Sequence, residues 1–365
     1  MIKIVFNIIL LSSLFVSCSN SLAQETFVAQ DLRMEKIQVL GANYVMREEA
    51  KLSYNRFSEA TLNAPLSEAM FNADKARTNS GIRLRFKSAS PKIRLTFAPD
   101  QGQNRGAEFA VLQNGIQTHT FDFKGEKSKN EMLLEFENVA GEKESLFEVV
   151  LPSFANVSLL KMELLDRASL LSIPEDVRPI YFAIGNSITH GVGQGSAAYL
   201  TYPYLLAQKL DYNYYNLAVG GAKISPAIAS MTGEMPQADV ITILIGYNDL
   251  MFNDKSVKQY SNDYRAYLKT IRQNQPKAAI YCITLTHTRA EANERTGIVP
   301  DDFREALKIL VNDFQKNGDS KLYLIEGDEI SSEKNLRADR LTDKAHFGIE
   351  GAALFAEELC QIIKH

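Results

Sequence analysis

The chain has 365 residues, a formal net charge of -4 and 45% apolar residues. That is enough chain for roughly two domains with buried cores. The mild negative charge gives no electrostatic reason to expect nucleic acid as a partner.

The N-terminus reads as an export signal. Met1, Ile2 and Lys3 give a positive start, and residues 4–16 are mostly apolar. This stretch is short of the ~20 residues that span a bilayer, so a secretory signal fits better than a membrane anchor. Two processing sites compete. Leu14-Phe15-Val16-Ser17-Cys18 resembles a bacterial lipobox, which would make Cys18 a lipidated N-terminus and the chain's sole link to a membrane. Ser21-Leu22-Ala23 would instead allow ordinary cleavage, leaving a signal of residues 1–23. Either way the protein is expected to be exported, as a periplasmic or cell-surface lipoprotein or as a secreted protein.

Residues 25–171 carry a β-rich pattern. Ile82, Leu84 and Phe86 alternate with Arg83 and Arg85, and Ile93, Leu95 and Phe97 repeat the alternation after Ser90-Pro91. Residues 109–112 and 116–121 flank Gln113-Asn114-Gly115, a hairpin signal. Residues 146–151 and 160–164 complete a run whose spacing predicts a sandwich or jelly roll. No cluster of chemically active residues stands out there.

Residues 172–179 contain Pro174 and Pro179 and read as a linker. Beyond it the period changes. Residues 180–184, 214–219, 240–245, 279–285 and 322–325 are short apolar runs separated by helical patterns. The clearest helix puts Phe303, Leu307, Leu310 and Phe314 on one face. Alternating β and α units over residues 180–365 predict a parallel sheet covered on both sides, a three-layer α/β/α domain. Ligands in such domains sit beyond the carboxyl ends of the strands.

Polar motifs fall at those ends. Gly185-Asn186-Ser187 follows the first apolar run; a serine there can be a nucleophile if a base takes its proton, or merely a helix cap. Gly220-Gly221 ends the second run, where either a plain tight turn or a backbone N–H aimed at a ligand would fit. Gly246-Tyr247-Asn248-Asp249 ends the third. The Asn248 amide, with the Ser187 and Gly221 N–H groups, would make a three-donor oxyanion hole, with Asp249 as a helix cap. Asp343 stands three residues before His346, just ahead of a C-terminal helix, close enough to orient its ring.

The four motifs, in this order and at one edge of one sheet, resemble those of the SGNH (GDSL-like) hydrolase superfamily. The resemblance covers residues 180–365 and implies a flavodoxin-like fold. By matching position it implies Ser187 as nucleophile, Asp343 and His346 as the other triad members, and Ser187, Gly221 and Asn248 as oxyanion donors. Gly220 is the alternative to Gly221 if the register differs by one. Asn186 departs from the family's usual Asp. The β-rich front half makes the whole chain similar to the two-domain carbohydrate esterases of family 2.

Other residues are candidate substrate contacts or decoys. His190 would share a helix face with Ser187 and is expected at the rim, and Tyr247 and His287 are further candidate substrate contacts. His119 and His365 have no motif around them. Gly191-Val192-Gly193-Gln194-Gly195 lacks a dinucleotide fingerprint and is expected to be a flexible cleft wall. Tyr199, Tyr202 and Tyr204 either stack on sugars or fill cores. Cys282 and Cys360 are expected to be small core residues. The expectation is therefore an exported serine esterase acting on an acylated, preferably acetylated, glycan or other small ester, with no cofactor and no metal. A lipid esterase, a thioesterase or a non-catalytic glycan-binding lipoprotein are the alternatives.

Overall fold

A computed structural model describes residues 25–165 and 168–363. The processing sites at Cys18 and Ala23, and His365, lie outside the described residues. Within them, no helix is long and apolar enough to cross a membrane.

The front half is a sandwich of two antiparallel six-stranded sheets. One is built around Ala155–Leu165 and Lys92–Asn104, the other around Arg83–Ser88, Ser145–Val150 and Ala107–Gln113. The alternation seen in the sequence sets their inner faces: Leu84, Phe86, Ile93, Leu95, Phe97, Phe109 and Phe147 are fully buried in one core. Burying each such side chain contributes roughly 1.5–3 kcal/mol. The hairpin from Ala107–Gln113 to Ile116–Phe123 turns at Asn114 and Gly115, whose φ angles of 51° and 83° are those of a type I′ turn.

The back half holds five parallel strands: Ile180–Gly185, Asn213–Asn216, Val240–Leu244, Ala279–Ile283 and Leu322–Ile325. Their spatial order is second, first, third, fourth, fifth, the flavodoxin-like arrangement. Period-two alternation divides the core across this sheet. Phe182, Ile184, Ile241 and Ile243 face the helices Val257–Asn274 and Pro300–Lys316. Tyr181, Ala183 and Ile283 face Tyr202–Leu210 and Ile349–Ile363. Tyr202 and Tyr204 are buried in that second layer, and Tyr199 bonds to Glu108 of the sandwich. Cys282 and Cys360 are buried free thiols.

One stretch of the front half does not stay with the sandwich. Residues 56–80 contain three four-residue helices, Glu59–Leu62, Leu66–Ala69 and Ala73–Ala76. Phe57, Leu62, Phe71 and Ala76 from this stretch belong to the core of the parallel-sheet domain. Helices of one turn are too short to leave a 3.6-residue period, so the pattern of the sequence passes over them.

The two halves are joined by buried polar contacts. Arg56 is fully buried and donates to the carbonyls of Thr78, Asn216 and Ala218 at 2.6, 2.8 and 2.7 Å. Arg83, on the polar side of its strand, donates to Asn213 Oδ1 at 2.6 Å and lies over the Tyr214 ring. Both guanidiniums reach acceptors on the facing domain from a buried position.

Candidate active site

The first parallel strand ends at Gly185, and the chain turns at once into the short helix Ser187–His190. Asn186 caps that helix, its Oδ1 accepting from the Ile188 N–H at 3.2 Å. The amide oxygen thus serves the capping role that a carboxylate would fill at this position. The cap puts Ser187 at the first helical position, where its hydroxyl lines the cleft.

The third group in this corner comes from far along the chain. His346 Nε2 lies 2.8 Å from Ser187 Oγ, and His346 Nδ1 lies 2.9 Å from both Asp343 carboxylate oxygens. With Asp343 ionised, Nδ1 carries the proton and donates, leaving Nε2 to accept from the serine hydroxyl. Burial pushes the Asp343 carboxyl up. The His346 backbone N–H and ring, with the Ala345 N–H, outweigh it and hold the group below the usual carboxylate range.

The loop bearing this pair is fastened from outside, in part by Thr288 and Arg289, which no motif in the sequence marks. Arg289 donates to the Asp343 carbonyl at 2.8 Å, and Thr288 Oγ1 donates to the Lys344 carbonyl at 2.6 Å. Gln194 Nε2 reaches the Phe347 carbonyl at 2.8 Å, and Gly193 packs so closely that a Cβ there would meet Phe347 O at 2.0 Å. The glycine-rich stretch expected to be a flexible wall is therefore a correction: Val192 lines the cleft, but Gln194 is buried and the loop is pinned.

Gly220, Gly221 and Asn248 line the same cleft. The two glycines are not equivalent. The Gly220 N–H donates to His190 Nδ1 at 2.9 Å, whereas no acceptor among the described residues is bonded to the Gly221 N–H. Gly221 has φ +86°, a conformation glycine adopts without strain. Asn248 Nδ2 donates to the Ala222 carbonyl at 2.8 Å, which fixes the amide and leaves its second hydrogen. Asp249 is not the helix cap expected: Gly246 occupies that position, and buried Asp249 accepts from the Ile224 N–H and from Lys255.

His190 is a second correction. It is fully buried and lines no part of the cleft, so it cannot be a rim contact for substrate. Its Nε2 lies 2.9 Å from the Ser153 carbonyl and 2.9 Å from Thr78 Oγ1, both on the front half. Burial, reinforced by nearby Arg56, pushes its pKa well down and keeps it neutral. His287 is not among the lining residues, and its ring lies 3.5 Å from Glu333. Tyr247 does line the cleft, and His119 packs on Phe121 and Phe136 in the sandwich.

The cleft has a volume of about 770 Å³ and lies where the two halves meet. Lys75, Gln103, Arg105 and Phe154 reach it from the front half. No pattern in the sequence marks these four, because only the docking of the halves brings them to Ser187. Among the described residues no group of His, Cys, Asp and Glu could hold a metal ion. Chemically, the arrangement offers a hydroxyl, a base oriented to receive its proton, a carboxylate behind that base, and N–H donors on the opposite wall.

Comparison with known proteins gives a family match and a set of structures with the same fold. Residues 183–354 match the GDSL-like Lipase/Acylhydrolase family. No curated protein matches the chain. Several solved structures share its fold across both halves. A salicylyl-acyltransferase from a tetracycline biosynthetic pathway is 20% identical with a TM-score of 0.76, covering 93% of this chain and 97% of its own. A putative GDSL-like lipase from Bacteroides ovatus is 19% identical, TM-score 0.71, at 93% and 97% coverage. A family two carbohydrate esterase from Cellvibrio japonicus is 16% identical, TM-score 0.65, at 93% and 98% coverage.

Proposed function

We propose that this protein, whose residues 183–354 match the GDSL-like lipase/acylhydrolase family, is a serine esterase that removes acyl groups, acetyl above all, from carbohydrate. The observation that carries the proposal is the continuous contact from Ser187 Oγ through His346 to Asp343, with 2.8 and 2.9 Å steps, opening on a cleft.

The reaction follows from those contacts. His346 Nε2 takes the Ser187 proton as Oγ attacks the ester carbonyl. The oxyanion that forms receives hydrogen bonds from the Ser187 and Gly221 N–H groups and the Asn248 amide. Asp343 stabilises the imidazolium. As the C–O bond breaks, His346 gives its proton to the departing sugar hydroxyl, leaving an acyl-serine. Water, deprotonated by His346, then attacks the acyl carbon and releases the acid while Ser187 regains its proton.

A small acyl group on a polar leaving group suits the cleft, whose wall sets charged and polar side chains among Phe154, Val192, Tyr247, Met251 and Phe252. A long acyl chain would want a continuous apolar slot. The expected export signal, and the sandwich-plus-hydrolase fold shared with a carbohydrate esterase, support the glycan reading.

The test is acetate release from acetylated xylan and from nitrophenyl acetate by the mature protein beside Ser187→Ala. Release that disappears in the variant supports the proposal. Equal release by the variant overturns the mechanism, and sugar binding without turnover by the native protein makes it a binding protein instead.

A further inference from the structure

The chain as a whole is acidic, with a net charge of -4, yet its cleft is not. Lys75, Arg105, Arg295, Arg337, Arg340 and Lys344 line it, against the carboxylates of Glu294 and Asp343. Asp343 is engaged by His346, Arg295 pairs with Asp254, and Arg337 pairs with Asp339.

Two of these cations stand out by where they come from. Lys75 and Arg105 both belong to the front half, and neither is in an ion pair with a carboxylate among the described residues. Lys75 is half-buried, and its Nζ lies 3.6 Å from where a Cβ on Gly221 would sit. It therefore overhangs the glycine whose N–H faces the reacting carbonyl. Arg105 is held in place: its backbone N–H donates to the Phe154 carbonyl at 2.9 Å. With the Gln103 amide oriented to suit both groups, its oxygen accepts from Arg105 Nε and Nη2 at 2.7 and 3.0 Å. Burial and the charge of Arg105 both lower the pKa of Lys75. A lysine charge set beside an arginine with no counter-ion is unfavourable until an anion sits between them.

Resting on the esterase reading, we propose that the ester turned over here is carried by an acidic sugar, whose carboxylate is bound by Lys75 and Arg105 while its acyl group reaches Ser187. Because Lys75 lies against Gly221, the carboxylate belongs to the acylated sugar ring or the adjoining one. Acetylated uronic-acid polymers have this chemistry; acetylated xylose or glucose chains do not. The front half of the chain then selects the substrate as well as supporting the hydrolase half.

The experiment compares acetate release from acetylated polygalacturonate and from the same polymer after methyl esterification, which removes the charge and keeps the acetyl groups. Nitrophenyl acetate serves as the charge-free reference. The expected result is a kcat/KM higher by about tenfold or more on the free acid, a preference that shrinks with added salt. Lys75→Gln and Arg105→Gln are expected to lower that ratio several-fold, with folding checked by circular dichroism. Equal rates on the two polymers, with nitrophenyl acetate still hydrolysed, overturn the acidic-sugar inference and leave the esterase standing. An unchanged ratio in both variants overturns the assignment to these residues. Absence of hydrolysis on all three substrates overturns the esterase reading and this one with it.

Discussion

His190 Nδ1 accepts the N–H of Gly220 at 2.9 Å, and through that ring the glycine loop that lines the cleft with Ser187 is tied to the front half of the molecule. The same ring contacts Ser153 O and Thr78 Oγ1 through Nε2, so one side chain joins three segments. The contact also settles which glycine is free: Gly220 is engaged and Gly221 is not.

Replacing His190 with alanine is therefore expected to cost about 3 kcal/mol of stability, from the cavity and the unpaired Gly220 and Ser153 groups. It should also lower kcat more than it changes KM. The ring carries a pH signature as well. The unfolded chain takes up a proton below the ordinary value of 6.5, which the folded chain refuses. Stability from this group is complete above pH 6.5 and declines as pH falls below it, by about 1.4 kcal/mol per unit. Urea unfolding of wild type and variant between roughly pH 7 and 5 checks this: the variant should lack that share of the slope.

Asp343→Asn keeps the shape of the triad and reverses its hydrogen bonding. An amide nitrogen facing Nδ1 favours the tautomer with the proton on Nε2, which cannot accept from Ser187. The expected loss is about 10³–10⁴-fold in kcat, with KM little altered. Steady-state kinetics on nitrophenyl acetate measure it, and a loss below about tenfold would remove Asp343 from the proposed mechanism.

Asn248→Ala takes away a donor that the Ala222 carbonyl holds in place. A single oxyanion donor is worth about 10²–10³-fold in kcat. The fall should appear in kcat rather than KM, because the bond strengthens only as charge develops on the carbonyl oxygen. A rise in KM alone would show instead that Asn248 binds the ground state.

Arg56→Met probes the joint between the halves. Burial lowers the Arg56 pKa to about 9, and the guanidinium has only carbonyls and a hydroxyl as acceptors. Methionine fills much of the space and leaves the Thr78, Asn216 and Ala218 carbonyls unpaired, which should cost about 3–5 kcal/mol. Asn216 and Ala218 run directly into Gly220, so activity should fall with stability. Denaturant unfolding and a nitrophenyl acetate assay on the same preparation check both.

Several features of this molecule were legible in the residues alone, because they are local. Side chains alternate every two residues along a strand and every 3.6 along a helix. Leu84 and Phe86, or Phe303 and Leu307, therefore announce their elements without any knowledge of the partner surface. The Asp343–His346 pair is local too, closing within one turn. The strand ends bearing Ser187, Gly221 and Asn248 follow from the alternation of β and α units, since parallel strands bring all their carboxyl ends to one edge.

What the tertiary structure alone decided concerns groups distant in sequence. Ser187 and His346 are 159 residues apart and meet at 2.8 Å. His190 moved from an expected rim to a buried junction, and residues 56–80 left the sandwich for the other core. Lys75 and Arg105 became part of the cleft only when the halves docked. Periodicity records whether a residue faces inward or outward on its own element. It does not record what covers that face, and the cover determined whether an arginine, a histidine or a lysine became a joint, a support or part of a binding wall.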